Sequence, residues 1–267
     1  MNITIIGVGN MGSAIARGLV KSGAIKASQL TCTDLDTKLL NRIQSFNSEI
    51  NISQNNTEAI TNADVVILAV KPWKVESTLS ALKYKLNFNK QVLVSIAAGV
   101  TFNEISKYVS KEHIDEEENS PVLFRVIPNT AIEVMQSMTF IASHNADKTQ
   151  EDVIVGLFDK LGNAMLIEED QMTAGTALAS CGIAYALRYI RAAMEGGIEL
   201  GFYPDQSKEI VIETIQGALD LLRENKSNPE TEIDKVTTPG GITIRGLNEM
   251  EMNGFSAAVI KGLRESK

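Results

Sequence analysis

Gly7-Val8-Gly9-Asn10-Met11-Gly12 sets three glycines at the G-x-G-x-x-G spacing. In a turn of this kind Gly7 makes the tight bend, Gly9 lets backbone approach a pyrophosphate, and Gly12 lets the following helix pack closely. That helix would point its N–H groups and positive dipole end at the phosphates. Asp34 lies about 20 residues beyond the glycines, where an acidic side chain accepts hydrogen bonds from a ribose. A carboxylate there repels a 2′-phosphate, and no arginine follows it at once. The expected ligand is therefore NADPH or NADH, with a lean toward NADH. Lys71 admits two readings of equal weight, a catalytic cation or a solvated turn residue. Near the other end, Val236-Thr237-Thr238-Pro239-Gly240-Gly241-Ile242-Thr243 interrupts a helical region. Amides of Gly240, Gly241 and Ile242 at a helix start would cradle a small anion such as a carboxylate, with the Thr243 hydroxyl beside it. A plain inter-helix turn is the alternative. His113 and His144 lie outside every one of these motifs, and spacings such as C-x-x-C or H-E-x-x-H, which hold metals, are absent.

The elements that must position these residues follow from periodicity. Residues 2–6 are an apolar, β-branched run, the profile of a strand buried on both faces. Helical spacing resumes over 13–21. A second strand is expected over 29–33, ending at Asp34, and Asp36 reads as the cap of a helix starting near Thr37. A short strand at 49–52 and a short helix at 55–60 come next. Residues 65–70 are apolar throughout and read as a central parallel strand, stopped by Lys71-Pro72. In an open parallel sheet ligands lie beyond the carboxyl ends of strands, so the turn Ala69-Val70-Lys71-Pro72 should face the cofactor. A helix over 73–85 and a strand over 91–96 lead to Ala97-Ala98, small enough to leave room for a flat nicotinamide ring. Thr101 with Glu104 reads as a capping box opening a helix to about 110. Residues 111–121, with five acidic side chains and His113, read as a solvated loop. Strands at 122–127, 138–143 and 164–167, with a helix over 149–160, complete a Rossmann-type doubly wound α/β domain over 1–167. From 168 to 267 strand signal vanishes. Long helices, beginning with 172–200 and including 204–224, carry more apolar surface than one small domain can bury, which predicts dimerisation through this part.

The 267 residues suit two domains. A formal charge of −8 argues against nucleic acid or an anionic membrane as partner. Two cysteines, Cys32 and Cys181, make no disulfide framework, and no basic apolar leader precedes the first strand. The longest apolar run is far too short to span a bilayer. The expectation is a cytoplasmic protein.

Several stretches together resemble one family over the full length, the Δ1-pyrroline-5-carboxylate reductases. They are the glycine turn, Ala69-Val70-Lys71-Pro72, Ser95-Ile96-Ala97-Ala98-Gly99-Val100-Thr101, Arg125-Val126-Ile127-Pro128-Asn129-Thr130, and Asn228-Pro229 with residues 236–251. The last is specific to the family, whereas the glycine turn is shared by many dehydrogenases. The resemblance implies reduction of the C=N bond of 1-pyrroline-5-carboxylate to L-proline, the last step of proline biosynthesis. It also implies that Asn56 and the Ala69–Pro72 turn touch the cofactor. The loop from Thr238 to Thr243 would receive the imino acid substrate, with Thr243 matching the proposed imine hydrogen-bonder. Family members are built on dimers that exchange helices, often assembled further, with the active site near the interface. This chain departs at Ser180-Cys181-Gly182-Ile183-Ala184-Tyr185, where the family has G-S-G-P-A-Y, and at Ala131, where it has proline.

An imine is readily protonated, and an iminium carbon accepts hydride without a strong general acid, which suits a chain with no histidine in its motifs. Two other readings stay open from sequence. A β-hydroxyacid dehydrogenase would cast Lys71 as base, and Ile183 with Ala131 would suit a catalytically silent nucleotide-binding scaffold.

Overall fold

The computed structural model describes residues 1–111 and 120–266. Most of the loop expected over 111–121, His113 included, lies outside the described residues. The chain divides into two compact units, Met1–Ser180 and Cys181–Lys267.

In the first unit the strands are β1 (Ile3–Ile6), β2 (Leu30–Thr33), β3 (Asn51–Ser53), β4 (Val65–Leu68), β5 (Val92–Ser95), β6 (Val122–Ile127), β7 (Ser137–His144) and β8 (Gly162–Leu166). They form one sheet in the order β3-β2-β1-β4-β5-β6-β7-β8. Helices α1 (Asn10–Lys21), α2 (Thr37–Phe46), α3 (Asn56–Ala59), α4 (Val75–Leu82), α5 (Phe102–Val109) and α6 (Lys148–Asp159) connect them. All four residues of β1 and of β4 are buried, as their continuous apolar runs require. Successive side chains go to opposite faces. Ile3, Ile5, Ile67, Phe124 and Val126 pack with Ile15, Leu19, Ile43 and Phe158 from α1, α2 and α6. Val66, Leu68, Leu123 and Ile127 pack on the other side with Val75, Leu79, Phe102 and Ile105 from α4 and α5. Helices on both faces make the sheet doubly wound.

Local chemistry sets the helix starts. Asp36 Oδ1 accepts from the Lys38 amide at 2.8 Å. Thr101 and Glu104 close a capping box, with the Thr101 amide donating to Glu104 Oε2 at 2.8 Å. The alternation of strand and helix breaks at one connection. Between β6 and β7 the chain has no room for a crossover helix, so β7 runs antiparallel to β6. The crossover through α6 then lays β8 parallel to β7.

Residues 168–180 pack with the sheet. Met172 and Ala177 are buried, and a Cβ on Gly175 would stand 2.7 Å from the Phe140 ring. The expected continuous helix over 172–200 is instead α7 (Met172–Gly175), a π-helical turn over Thr176–Cys181, and α8 (Gly182–Glu199).

The second unit continues with α9 (Pro204–Asn225), α10 (Pro229–Val236), α11 (Ile242–Met252) and α12 (Phe255–Glu265). The pair α8 and α9 cross closely at Gly197, where a Cβ would meet Ser207 Oγ. That hydroxyl donates to the Met194 carbonyl at 2.8 Å. Tyr185 ties α8 to α12 through the Gly262 carbonyl and the Ser266 hydroxyl. Even so, α8, α10, α11 and α12 bury no residue fully, while Leu187, Leu200, Leu221 and Met252 stand exposed. No described helix is long and apolar enough to cross a membrane.

Candidate active site

β1 and β4 are neighbours, and the chain spreads from them to opposite sides of the sheet. Their carboxyl ends mark the topological switch point, the crevice where open α/β sheets take ligands. Gly7 follows β1 and Ala69 follows β4. Gly7 has φ +94°, and a Cβ there would meet the Ala69 carbonyl oxygen at 2.8 Å. A Cβ on Gly12 would stand 2.0 Å from the Gly7 carbonyl oxygen. Around Gly9 a Cβ would meet nothing within 4 Å. Gly7 and Gly12 are thus demanded by the protein's own packing. Gly9 faces open space, and the room over it suits a pyrophosphate. The amides of Asn10, Met11 and Gly12 precede the first hydrogen bond of α1, from Ser13 to the Gly9 carbonyl at 2.9 Å. This turn fits a dinucleotide.

Val8, between the first two glycines, is held from within the fold. The Val8 side chain is fully buried, and its amide donates to Asp34 Oδ2 at 2.9 Å. Val8 therefore aims Asp34 through its amide. The Asp36 amide holds the other oxygen, Oδ1, at 3.0 Å. Two backbone donors fix the carboxylate beside the glycine turn.

Two cavities run along this edge. A cavity of about 710 Å³ is lined by Gly7, Gly9, Asn10, Met11, Asp34, the Ala69–Pro72 turn, Ala97 and Ala98. A second of about 550 Å³ is lined by Gly7, Asp34, Val70, Asn56, Lys74 and Thr33. Gly7, Asp34 and Val70 line both, so the two form one trough with the glycine turn at its middle. Thr33 Oγ1 is buried in its wall without a hydrogen-bond partner. Ala97 is buried, its amide held by Ser95 Oγ at 3.3 Å, while Lys71 and Ala98 are exposed at the mouth.

Ile96, Ile127, Pro128, Thr176 and Ser180 also wall the trough, beyond the site residues expected from sequence. Ile127-Pro128 lies in a motif that was visible. Thr176 and Ser180 come from the π-helical turn, which has no periodicity signal of its own. Ser180 Oγ donates to the Pro128 carbonyl at 3.0 Å, which seats the turn on the end of β6.

In the second unit the elbow between α10 and α11 bends at Gly240, φ +72°. The Gly241 amide, expected in the anion cradle, instead donates to the Thr238 carbonyl at 2.9 Å. A Cβ on Gly241 would also press on Thr238 Oγ1 at 2.7 Å. Gly241 therefore closes the elbow. It caps α11 without a side chain, so the amides of Ile242 and Thr243 in the first turn lack a capping partner. Ile242 and Thr243 are exposed.

A doubly wound sheet with a glycine-turn trough, followed by an all-helical unit, defines a class of nicotinamide-dependent oxidoreductases. Residues 169–267 match the family model described as pyrroline-5-carboxylate reductase dimerisation. Residues 2–99 match the one described as NADP oxidoreductase coenzyme F420-dependent. Pyrroline-5-carboxylate reductase 2 of Dictyostelium discoideum is 36% identical over 98% of this chain and 89% of its own length. The Arabidopsis thaliana pyrroline-5-carboxylate reductase is 31% identical over 98% and 91%. The chain belongs to the pyrroline-5-carboxylate reductase family. Among solved structures, Plasmodium falciparum pyrroline carboxylate reductase with NADP bound superposes with a TM-score of 0.88 at 26% identity, covering 100% of this chain and 95% of that one. Mycobacterium tuberculosis 3-hydroxyisobutyrate dehydrogenase, at TM-score 0.54 and 13% identity over 76% of this chain and 66% of its own, shares the fold alone.

Proposed function

We propose that this chain reduces the C=N bond of 1-pyrroline-5-carboxylate to L-proline, the last step of proline biosynthesis, as a cytoplasmic homodimer. The observation that carries this reading is the trough over Gly9, set in a chain of this family over its full length. A reduced nicotinamide supplies the hydride when bound. Asn10, Met11 and Gly12 offer their amides to its phosphates. Asp34 accepts from the adenosine ribose, and Asn56 lines the same part of the trough. Ala69, Val70, Lys71 and Pro72 form one wall of the trough, and Ala97 and Ala98 leave room for the ring.

Residues 1–167 carry dinucleotide binding and 168–267 carry substrate binding and dimerisation, with Thr176 and Ser180 from the latter stretch reaching the trough. At the elbow, Gly240 and Ile242 offer amides to the substrate carboxylate, and Thr238 and Gly241 hold the bend. Thr243 Oγ hydrogen-bonds the imine nitrogen. With an iminium as acceptor, the protein's work is positioning, and donor and acceptor must come within about 3–3.5 Å. The Asp34 carboxylate would stand against a 2′-phosphate, which supports NADH over NADPH.

Purified protein given 1-pyrroline-5-carboxylate and NADH should consume the reduced-nicotinamide absorbance with L-proline as product. Cofactor binding without turnover would instead favour a silent scaffold. Turnover of hydroxy acids, abolished by Lys71→Ala, would favour the dehydrogenase reading.

A further inference from the structure

Arg125 lies on β6, two residues before Ile127 and on the same face of the sheet, and is only 7% exposed. A buried guanidinium is costly unless its charge is met. Its Nη1 donates to Glu169 Oε1 at 2.8 Å. The same oxygen accepts the Phe102 amide at 2.7 Å. Phe102 is the first residue of α5, whose cap Thr101 serves the Glu104 amide, so Glu169 satisfies the amide that Thr101 leaves over. The Phe102 ring lies beneath the guanidinium at 6.0 Å and stacks with His144 at 5.4 Å.

Three segments therefore meet at one carboxylate oxygen, and each continues into a trough wall, the β6 segment through Ile127 and Pro128. Ala97 and Ala98 run directly into Phe102. Thr176 and Ser180 follow Glu169 through α7. An apolar trio would fill this space without preferring a direction. A guanidinium Nη1 and a backbone amide held on one charged acceptor fix both distance and angle.

We propose that Arg125 and Glu169 are positioning residues that set the separation between the Ala97-Ala98 wall and the Thr176–Ser180 wall, and so hold the nicotinamide end of the trough in shape. This rests on reading the trough as the cofactor site. Neither side chain touches cofactor or substrate; both act through the walls they join.

The test uses full-length Glu169→Ala, Glu169→Gln and Arg125→Lys. It measures kcat and KM together with calorimetric affinity for ADP-ribose, a probe of the adenosine end alone. Glu169→Ala should lower kcat about tenfold while ADP-ribose affinity stays within about twofold. Glu169→Gln, which keeps an acceptor oxygen, should recover most of that loss. Arg125→Lys keeps the charge and loses the planar guanidinium that reaches Glu169 Oε1 over the Phe102 ring, so it should lower kcat with ADP-ribose binding intact, and it serves if Glu169→Ala fails to fold. Unchanged kcat in both Glu169→Ala and Arg125→Lys would overturn the proposal. So would a loss of ADP-ribose binding in step with kcat, the mark of a folding role only. Parent protein that does not bind ADP-ribose would overturn the cofactor reading of the trough itself.

Discussion

Single side chains carry the chemistry, and their surroundings say which substitutions matter. Thr243 is exposed in the first turn of α11. Thr243→Ala should lower kcat about tenfold or more, since one transition-state hydrogen bond is worth above about 1.4 kcal/mol. Full activity in that variant would remove Thr243 from the mechanism. Asp34 is aimed by two backbone amides, and Lys74 lines the same cavity. Asp34→Ser would remove the repulsion and leave Lys74 as a cation for a 2′-phosphate. The ratio of kcat/KM for NADPH to that for NADH should then rise about tenfold. Cys32 is buried on β2, and burial pushes its thiol up to about 12. Iodoacetamide at mildly alkaline pH should leave Cys32 unmodified in the native protein and label it after denaturation, as peptide mass mapping would show.

Turns and helix ends decide whether those side chains are presented at all. Gly12 lets α1 lie against the turn that precedes it. With a Cβ 2.0 Å from the Gly7 carbonyl oxygen, Gly12→Ala must move α1 or the turn. The expected cost is about 2 kcal/mol or more in stability, with cofactor affinity lost beyond that, measurable by denaturant titration and calorimetry. Between α9 and α10, Glu232 gathers Lys235 Nζ at 2.8 Å, Ser227 Oγ and Asn225 Nδ2. Lys235 foremost, then the Ser227 and Asn225 hydrogen bonds, lowers its carboxyl from 4.5 to about 2. A depressed folded-state value stabilises the fold fully above the unfolded value, and the effect is lost as pH falls from 4.5 toward 2. Glu232→Gln should therefore flatten the dependence of Tm on pH across that window. An unchanged slope would show that the cluster adds nothing to the fold.

The whole molecule is governed by apolar surface left over in the second unit. Leu187, Leu200, Leu221 and Met252 face water in the single chain, and residues 169–267 match a dimerisation model. Sedimentation should give at least twice the chain mass, and Tm should rise with protein concentration, because association stabilises by mass action. A monomer whose melting ignores concentration would contradict the homodimer.

Short-range chemistry was legible along the chain because its causes are local. The apolar runs of β1 and β4, the Asp36 cap, the Thr101–Glu104 box and the glycine turn each depend on residues a few positions apart, and each stands where it was expected. Excess apolar surface after residue 168 was equally readable, since it is a property of composition and period. Contacts between distant segments decided the rest. Val8 turns inward because Asp34, far along the chain, takes its amide. The strand β7 reverses because its neighbours leave no length for a crossover. Thr176 and Ser180 enter the trough only because the π-helical turn is seated on Pro128, and Arg125 finds Glu169 only once the sheet has formed. Such pairings are settled by where packed elements bring their edges, a quantity with no imprint in the spacing of residues.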